Sequence, residues 1–402
     1  MNITLVGIGA GAPGTLTREA RDALARAGVV IGAERILADL PADVCAEKIA
    51  LALPEKVAAA VAAHPEWSEV CVALSGDVGF YSGAKRLLEL LTAHSPGLIP
   101  GISSPQYFAA RLRRPWQDFR LVSAHGVGCD ILAEVLNHPA VFFLTGGDTT
   151  PAGIASALRD AGLGGARVSV GENLSYPDER ITSGTAAELA DGRAFAPLSV
   201  VLVENGRTFA RDIVSPGIAD DEFIRGKTPM TKREVRVVAL SLLRLKADDV
   251  VYDIGAGTGS VSVEAALLAR RGRVHAVEEN PDAFSLIGEN REKFGTFNLL
   301  PTLGPAPEAL HPLPPPDAVF IGGSRGRMRD IVQAVLRKNP RARLVVSAIA
   351  LETLSAAMEA LGDLSVPGIE VVQVAAAATA VRGGYHMLEA RNPVFLIGGG
   401  GA

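Results

Sequence analysis

"VVYDIGAGTGSVSVEAALLA", residues 250–269, carries an apolar run into glycines 255, 257 and 259 and out into a segment whose one charge is Glu264. The first part reads as a strand and the last as a helix. Glycine has no Cβ, so the turn between them lets a ligand lie against bare backbone. Ser260 stands where a dinucleotide fingerprint has its third glycine, and Asp253 lies two residues before the first. Glu278 ends the next strand, where an acid can grip two ribose hydroxyls and disfavours a 2′-phosphate. Working outward, the pattern predicts helix 231–244, strand 249–254, helix 259–270, strand 273–278 and helix 281–294. It continues with strand 317–321, helix 327–338, strand 343–348, helix 351–361 and a last pair near 369–380 and 384–397.

Toward the N-terminus the same alternation occurs around another glycine-rich turn, "VGIGAGAPG", residues 6–14. It has neither dinucleotide nor P-loop spacing, so chemistry alone reads it as a close backbone approach. Strands are expected at "ITLVGIG", "VVIG", "EVCVALSG", "AVFFLTGG", "ARVSVGEN" and "LSVVLVEN". The rhythm breaks in "NGRTFARDIVSPGIADDEFIRGKTPMT", which puts a boundary near residues 207–215. Two α/β domains are expected, residues 1–206 and 213–402.

The formal net charge is −5. Residues 1–212 carry 18 basic and 23 acidic side chains, and residues 213–402 carry 21 of each, so neither half is basic. A nucleic-acid partner needs a positive footprint and is not expected. Cys45, Cys71 and Cys129 lack metal-ligand spacing and read as reduced thiols. No metal site is expected. The start "MNITLVGIG" has no basic leader and reads as a first strand, and no apolar run is long enough for a span. A cytoplasmic protein with no membrane partner is the expectation.

The loop at 253–259 resembles motif I of the class I S-adenosylmethionine methyltransferases. "FIRGKTPMTKREVR", "VEENPDAF", "APEAL", "VFIGGS" and "RNPVFLI" extend that resemblance over residues 218–397 to the decarboxylating precorrin methyltransferases of cobalamin biosynthesis. It implies a Rossmann-like class I methyltransferase fold. It also implies that Gly255, Ala256, Gly257, Thr258, Gly259, Glu278, Ala306 and Thr231 hold S-adenosyl-L-methionine. In the first half, "LSGDVGFYSG", "PGISSPQYFAARL" and "FFLTGGDTTP" follow the glycine turn in the order found in the class III tetrapyrrole methylases. This resemblance, over residues 1–205, implies a two-lobed class III fold with the cofactor in the cleft. It assigns cofactor contacts to Pro13, Ser75, Gly76, Asp77, Phe80, Ser103, Ser104, Leu144 and Gly171. For Asp77 a turn or capping role stays open.

Joined, the halves resemble the fused decarboxylating precorrin methyltransferases. The resemblance implies two S-adenosyl-L-methionine sites per chain and a tetrapyrrole substrate, precorrin-6B. Methylation at C5 would fall to the first domain, and C15 methylation with loss of the C12 acetate carboxyl to the second. A homo-oligomer is expected on the same ground. Decarboxylation calls for an acid to protonate the new methyl, and Tyr385 and His386 are the candidates. The substrate's carboxylates call for cations, with Arg225, Lys227, Lys232, Arg233, Arg325 and Arg327 as candidates. Two rival readings stay open: methylation of RNA or protein, and a non-catalytic pair of nucleotide-sensing modules.

Overall fold

The structure, a computed structural model, describes residues 1–125, 129–191, 194–209 and 215–401. The chain divides into two compact units. One comprises 1–129, 138–160 and 164–205, the other 130–137, 161–163 and 206–402. The boundary expected near 207–215 falls partly on 210–214, which lie outside the described residues.

The first unit has two sheets. Strands β1 (Asn2–Gly7), β2 (Val29–Gly32), β3 (Glu47–Ala50), β4 (Glu69–Leu74) and β5 (Gly97–Ile99) form a parallel sheet in the order β3-β2-β4-β1-β5. β1, β2 and β4 are apolar and buried on both faces, as helix-covered parallel strands must be. The glycine turn serves this sheet. A Cβ on Gly101 would lie 2.2 Å from the Gly76 oxygen and 2.7 Å from that of Gly7, so three chain segments meet backbone to backbone beyond the strand ends.

The second sheet contains β6 (Arg120–Ser123), β7 (Ala140–Leu144), β8 (Arg167–Glu172), β9 (Arg180–Thr185) and β10 (Ser199–Glu204), in the order β6-β7-β10-β8-β9. Only β6 and β7 are parallel. The alternation of the sequence predicts parallel units here. The turn from β8 to β9 holds no helix and is too short for a parallel crossover, so the chain folds straight back.

The second unit carries β11 (Val250–Ile254), β12 (Arg273–Glu278), β13 (Leu299–Leu303), β14 (Ala318–Ile321), β15 (Arg343–Ala348), β16 (Glu370–Val374), β17 (Ala377–Arg382), β18 (Tyr385–Ala390) and β19 (Val394–Gly399). Seven of them form one sheet, β13-β12-β11-β14-β15-β19-β16, with β19 antiparallel to both neighbours. The inserted antiparallel strand separates this sheet from the 3-2-1-4-5-6 order of a dinucleotide-binding fold. Helix Ser260–Leu268 is buried on nearly every side, which matches its near-absence of charge. β17 and β18 pair only with each other, and the last predicted strand pair is in fact four strands. Gly383 and Gly384, both at positive φ, make the turn between β17 and β18.

The segment from Gly217 to Lys232 has little regular structure, yet it is anchored. Arg236, 0% exposed, donates to Glu264 Oε1 at 2.9 Å, Asp220 Oδ1 at 2.9 Å and the Thr231 carbonyl at 2.5 Å. Glu264 also accepts from the amides of Gly217 (2.7 Å) and Ile218 (3.1 Å). A buried guanidinium with two carboxylates and filled backbone acceptors satisfies the charges that its burial would otherwise leave costly.

Candidate active sites

In the second unit a cavity of about 1140 Å³ opens beyond the carboxyl ends of β11, β12 and β14. Its floor is the glycine turn. Gly255 and Gly257 have φ of +69° and +58°, values that L side chains rarely adopt. A Cβ on Gly255 would lie 2.8 Å from the Gly323 amide, and one on Gly257 would lie 3.1 Å from the Pro229 carbonyl. The turn therefore touches the Gly322–Gly323 bend on one side and the 226–232 segment on the other.

Glu278 organises the rim. Its Oε2 accepts from the Gly257 amide at 2.8 Å, and its Oε1 accepts from the amides of Glu279 at 3.1 Å and Asn280 at 2.9 Å. Behind the turn, Asp253 is buried. Burial pushes its carboxyl up to about 7, the Ser262 hydroxyl that donates to Oδ2 pulls the other way, and the charge of Glu278 adds to the rise. Asp253 Oδ1 and Thr258 Oγ1 are buried with no hydrogen-bond partner among the described residues.

Thr231, Gly255, Ala256, Gly257, Glu278 and Ala306 all line this cavity, as do Lys227, Lys232, Arg325 and Arg327. Thr258 and Gly259 do not. Thr258 is 1% exposed beneath the turn, and Gly259 caps helix Ser260–Leu268 against Ile287. Arg225 lines a shallow neighbouring depression, and the Arg233 amide donates to Asp220 outside the cavity. The cationic lining is partly engaged already. Arg327 holds Glu308 through two contacts of 2.7 Å, and Arg325 lies against Glu279. Asn280, Asp282 and Arg391 also face the cavity from within "VEENPDAF" and "RNPVFLI", though not singled out there, and Ser347 does so from outside any quoted motif.

Tyr385 and His386 are not among the lining residues. They sit on β18, whose six residues are all exposed, with Tyr385 at 76%. The expectation that they protonate a substrate in this cavity is corrected for the single chain. The reason is that β17 and β18 pair with each other as a separate hairpin and not with the seven-stranded sheet that bears the cavity.

The first unit has its own cavity, also about 1140 Å³, between its two sheets. Ser75, Gly76, Phe80, Ser103, Ser104, Leu144 and Gly171 line it. Pro13 does not; it is exposed at the start of a 3₁₀ turn. Asp77 does not either. Its Oδ1 accepts from the Gly79 amide at 2.8 Å and its Oδ2 from the Gly101 amide at 3.0 Å, so it ties two rim loops together. That is the turn role left open by the sequence. Gly171 is small for packing as well, since a Cβ there would lie 2.7 Å from the Phe108 ring. Arg35, Tyr81, Lys85 and His125 line the cavity and were not singled out by sequence.

Both cavities fit S-adenosyl-L-methionine. Each has the volume of a small-molecule site, with bare glycine backbone and a few polar groups. In the second, Glu278 and the 255–257 backbone suit a ribose and an amino-acid end; in the first, Ser75, Ser103 and Ser104 supply hydroxyls. Among the described residues, no cluster of side chains could hold a metal ion and no helix is long and apolar enough to cross a membrane.

A family model described as tetrapyrrole (corrin/porphyrin) methylases matches residues 2–190, and one described as precorrin methyltransferase domain matches residues 222–397. A Sinorhizobium sp. protein named precorrin-6Y C(5,15)-methyltransferase [decarboxylating] is 32% identical over 350 residues, 86% of this chain and 84% of its own. A Pyrobaculum calidifontis protein named probable cobalt-precorrin-6B C(15)-methyltransferase (decarboxylating) is 44% identical over 186 residues, 46% of this chain and 95% of its own. The crystal structure of a Geobacter metallireducens GS-15 precorrin-6y C5,15-methyltransferase has 45% identity over 46% of this chain and 95% of its own, with a TM-score of 0.43. Two cavity-bearing units, each matched by its own methylase model, and a relative aligned along most of both chains converge: this chain belongs to the precorrin-6Y C(5,15)-methyltransferase (decarboxylating) family.

Proposed function

We propose that this protein is a bifunctional S-adenosyl-L-methionine-dependent C-methyltransferase that methylates a precorrin at C5 and C15 and removes the carboxyl of its C12 acetate, in cobalamin biosynthesis. The observation that carries the reading is the presence in each unit of a cavity of about 1140 Å³ bordered by glycine backbone, Gly76, Gly79 and Gly171 in the first and Gly255 and Gly257 in the second. Two donor sites per chain follow. Residues 1–206 form the C5 domain and residues 213–402 the C15 and decarboxylating domain. A half-length relative whose name joins C(15) methylation with decarboxylation supports placing these two steps on one unit.

When bound, the cofactor supplies an electrophilic methyl. The protein's part is to place the acceptor carbon in line and keep water out, contributions worth up to ~7–11 kcal/mol when geometry is good. In the second unit the Gly257 and Glu278 turn orients the donor, while Lys227, Lys232 and Arg391 face the cavity as partners for substrate carboxylates. Arg35 and Lys85 take that role in the first. A homo-oligomer belongs to the reading. An isolated two-stranded hairpin is marginal in water, and β17–β18 exposes Val381, Tyr385, Met387 and Leu388.

The test uses the full chain, a precorrin and methyl-labelled donor. Wild type should transfer two methyls and release carbon dioxide. Gly257→Val should keep the C5 methyl and lose the C15 methyl. Retention of both methyls by that variant, or transfer to RNA in place of the precorrin, sinks the proposal.

A further inference from the structure

One residue in the first cavity has no assigned task. His125 lies two positions beyond the end of β6, and Gly146 two positions beyond the end of β7. The strands are parallel with Ser123 opposite Leu144, so the register sets His125 beside Gly146. The fit is tight. A Cβ on Gly146 would lie 1.8 Å from His125 Nδ1, so that glycine in "FFLTGGDTTP" makes room for the imidazole.

The other titratable groups lining this cavity are engaged or of the wrong kind. Arg35 and Lys85 are cations, and Arg35 donates to the Tyr176 hydroxyl at 2.6 Å. Glu89 accepts from Arg86 at 2.8 Å, and the Tyr81 hydroxyl donates to the Leu121 carbonyl at 3.2 Å. Among the described residues nothing hydrogen-bonds the His125 ring. Its imidazole is the nitrogen base that the cavity leaves available.

Methylation at a meso carbon needs such a base. The ring's electron pair forms the new carbon–methyl bond as the methyl–sulfur bond breaks and its pair returns to sulfur. The carbon then bears both hydrogen and methyl, and the macrocycle carries the positive charge. Breaking that carbon–hydrogen bond returns its pair to the ring, and the proton needs an acceptor. Resting on the reading that the first unit methylates a tetrapyrrole, we propose that His125 is the acceptor, a catalytic base of the first cavity.

The test compares full-length wild type, His125→Ala, His125→Asn and a cavity-filling control, Ser75→Trp. Methyl count, carbon dioxide release and calorimetric binding of S-adenosylhomocysteine are read together. His125→Ala should slow the first unit's methyl transfer about 10²- to 10⁴-fold, and added imidazole should restore part of it. Carbon dioxide release, the other methyl transfer and S-adenosylhomocysteine binding should stay as in wild type. First-unit transfer at the wild-type rate in both histidine variants overturns the proposal. So does loss of S-adenosylhomocysteine binding in both, which would make His125 a cofactor-holding residue. If Ser75→Trp removes no methyl, the reading of the first unit itself fails. If it removes one and the histidine variants remove none, only the role of His125 fails.

Discussion

Replacing Glu278 with glutamine probes the second site with one atom. The carboxylate takes three backbone amides, Gly257 on Oε2 and Glu279 and Asn280 on Oε1. Glutamine keeps one oxygen and turns the other into an NH2 that must face an amide donor. In one orientation the Gly257 bond is lost; in the other, the Glu279 and Asn280 bonds are lost. At least one charge-assisted bond disappears, a loss of ~1.5–3 kcal/mol. The bond to Gly257 shapes the turn, so the cost falls on donor binding as well as folding. If all of it reached binding, the affinity of this site would fall about 10- to 150-fold. Calorimetric titration of full-length Glu278→Gln with S-adenosylhomocysteine reads the affinity, and urea unfolding reads the stability. The expected result is one site unchanged, one weakened, and an earlier unfolding transition. Wild-type values for both sites and for the transition would refute the assignment of Glu278 as organiser of the turn.

Arg236→Met leaves the carboxylates of Glu264 and Asp220 without their buried cation and should cost ~3–5 kcal/mol, with Arg236→Lys milder; denaturant unfolding decides it, and a loss below 1 kcal/mol contradicts the burial argument. Asp253, raised by burial to about 7 from an ordinary 3.8, keeps its proton when folded at pH values where the unfolded chain has lost it. Its contribution to stability therefore falls as pH rises from about 4 to 7, and Asp253→Asn should remove that slope; a constant wild-type-to-variant difference across the window would rule it out. His386→Gln alters an exposed hairpin side chain and should change stability by no more than ~0.5 kcal/mol, measured by thermal unfolding.

The second unit was the more legible half. Helix Pro281–Phe294 and strand β12 fall where the periodicity places them, because Asn280 and Gly295 mark the helix ends with capping chemistry that reads directly from sequence. The glycine turn and Glu278 were legible for the same reason: their spacing is local. What was not legible depends on distant partners. Arg236 resembles any helix-surface arginine until Glu264 is brought to it across 28 residues. His125 acquires meaning only when β6 and β7 pair, which sets it over Gly146. Asp77 sits in a cofactor-type motif, yet its two acceptors are spent on Gly79 and Gly101. Gly383–Gly384 falls at the break the sequence places between 369–380 and 384–397, whereas the turns at residues 375–376 and 391–393 lie inside runs long enough to pass as single strands.

The position of β19 has a consequence for how the protein is made. Its side chains Leu396 and Ile397 are fully buried, and among the described residues it is the only sheet partner of β16. On the ribosome β16 emerges first and has no edge to join until β19 follows. β15 also waits with one edge bare. During synthesis the second unit therefore passes through a stage with two unpaired apolar edges, the kind of surface that recruits chaperones or neighbouring nascent chains. Completion is a single late insertion that closes both edges at once, while the glycine turn on β11, three strands away in the sheet, is already in place.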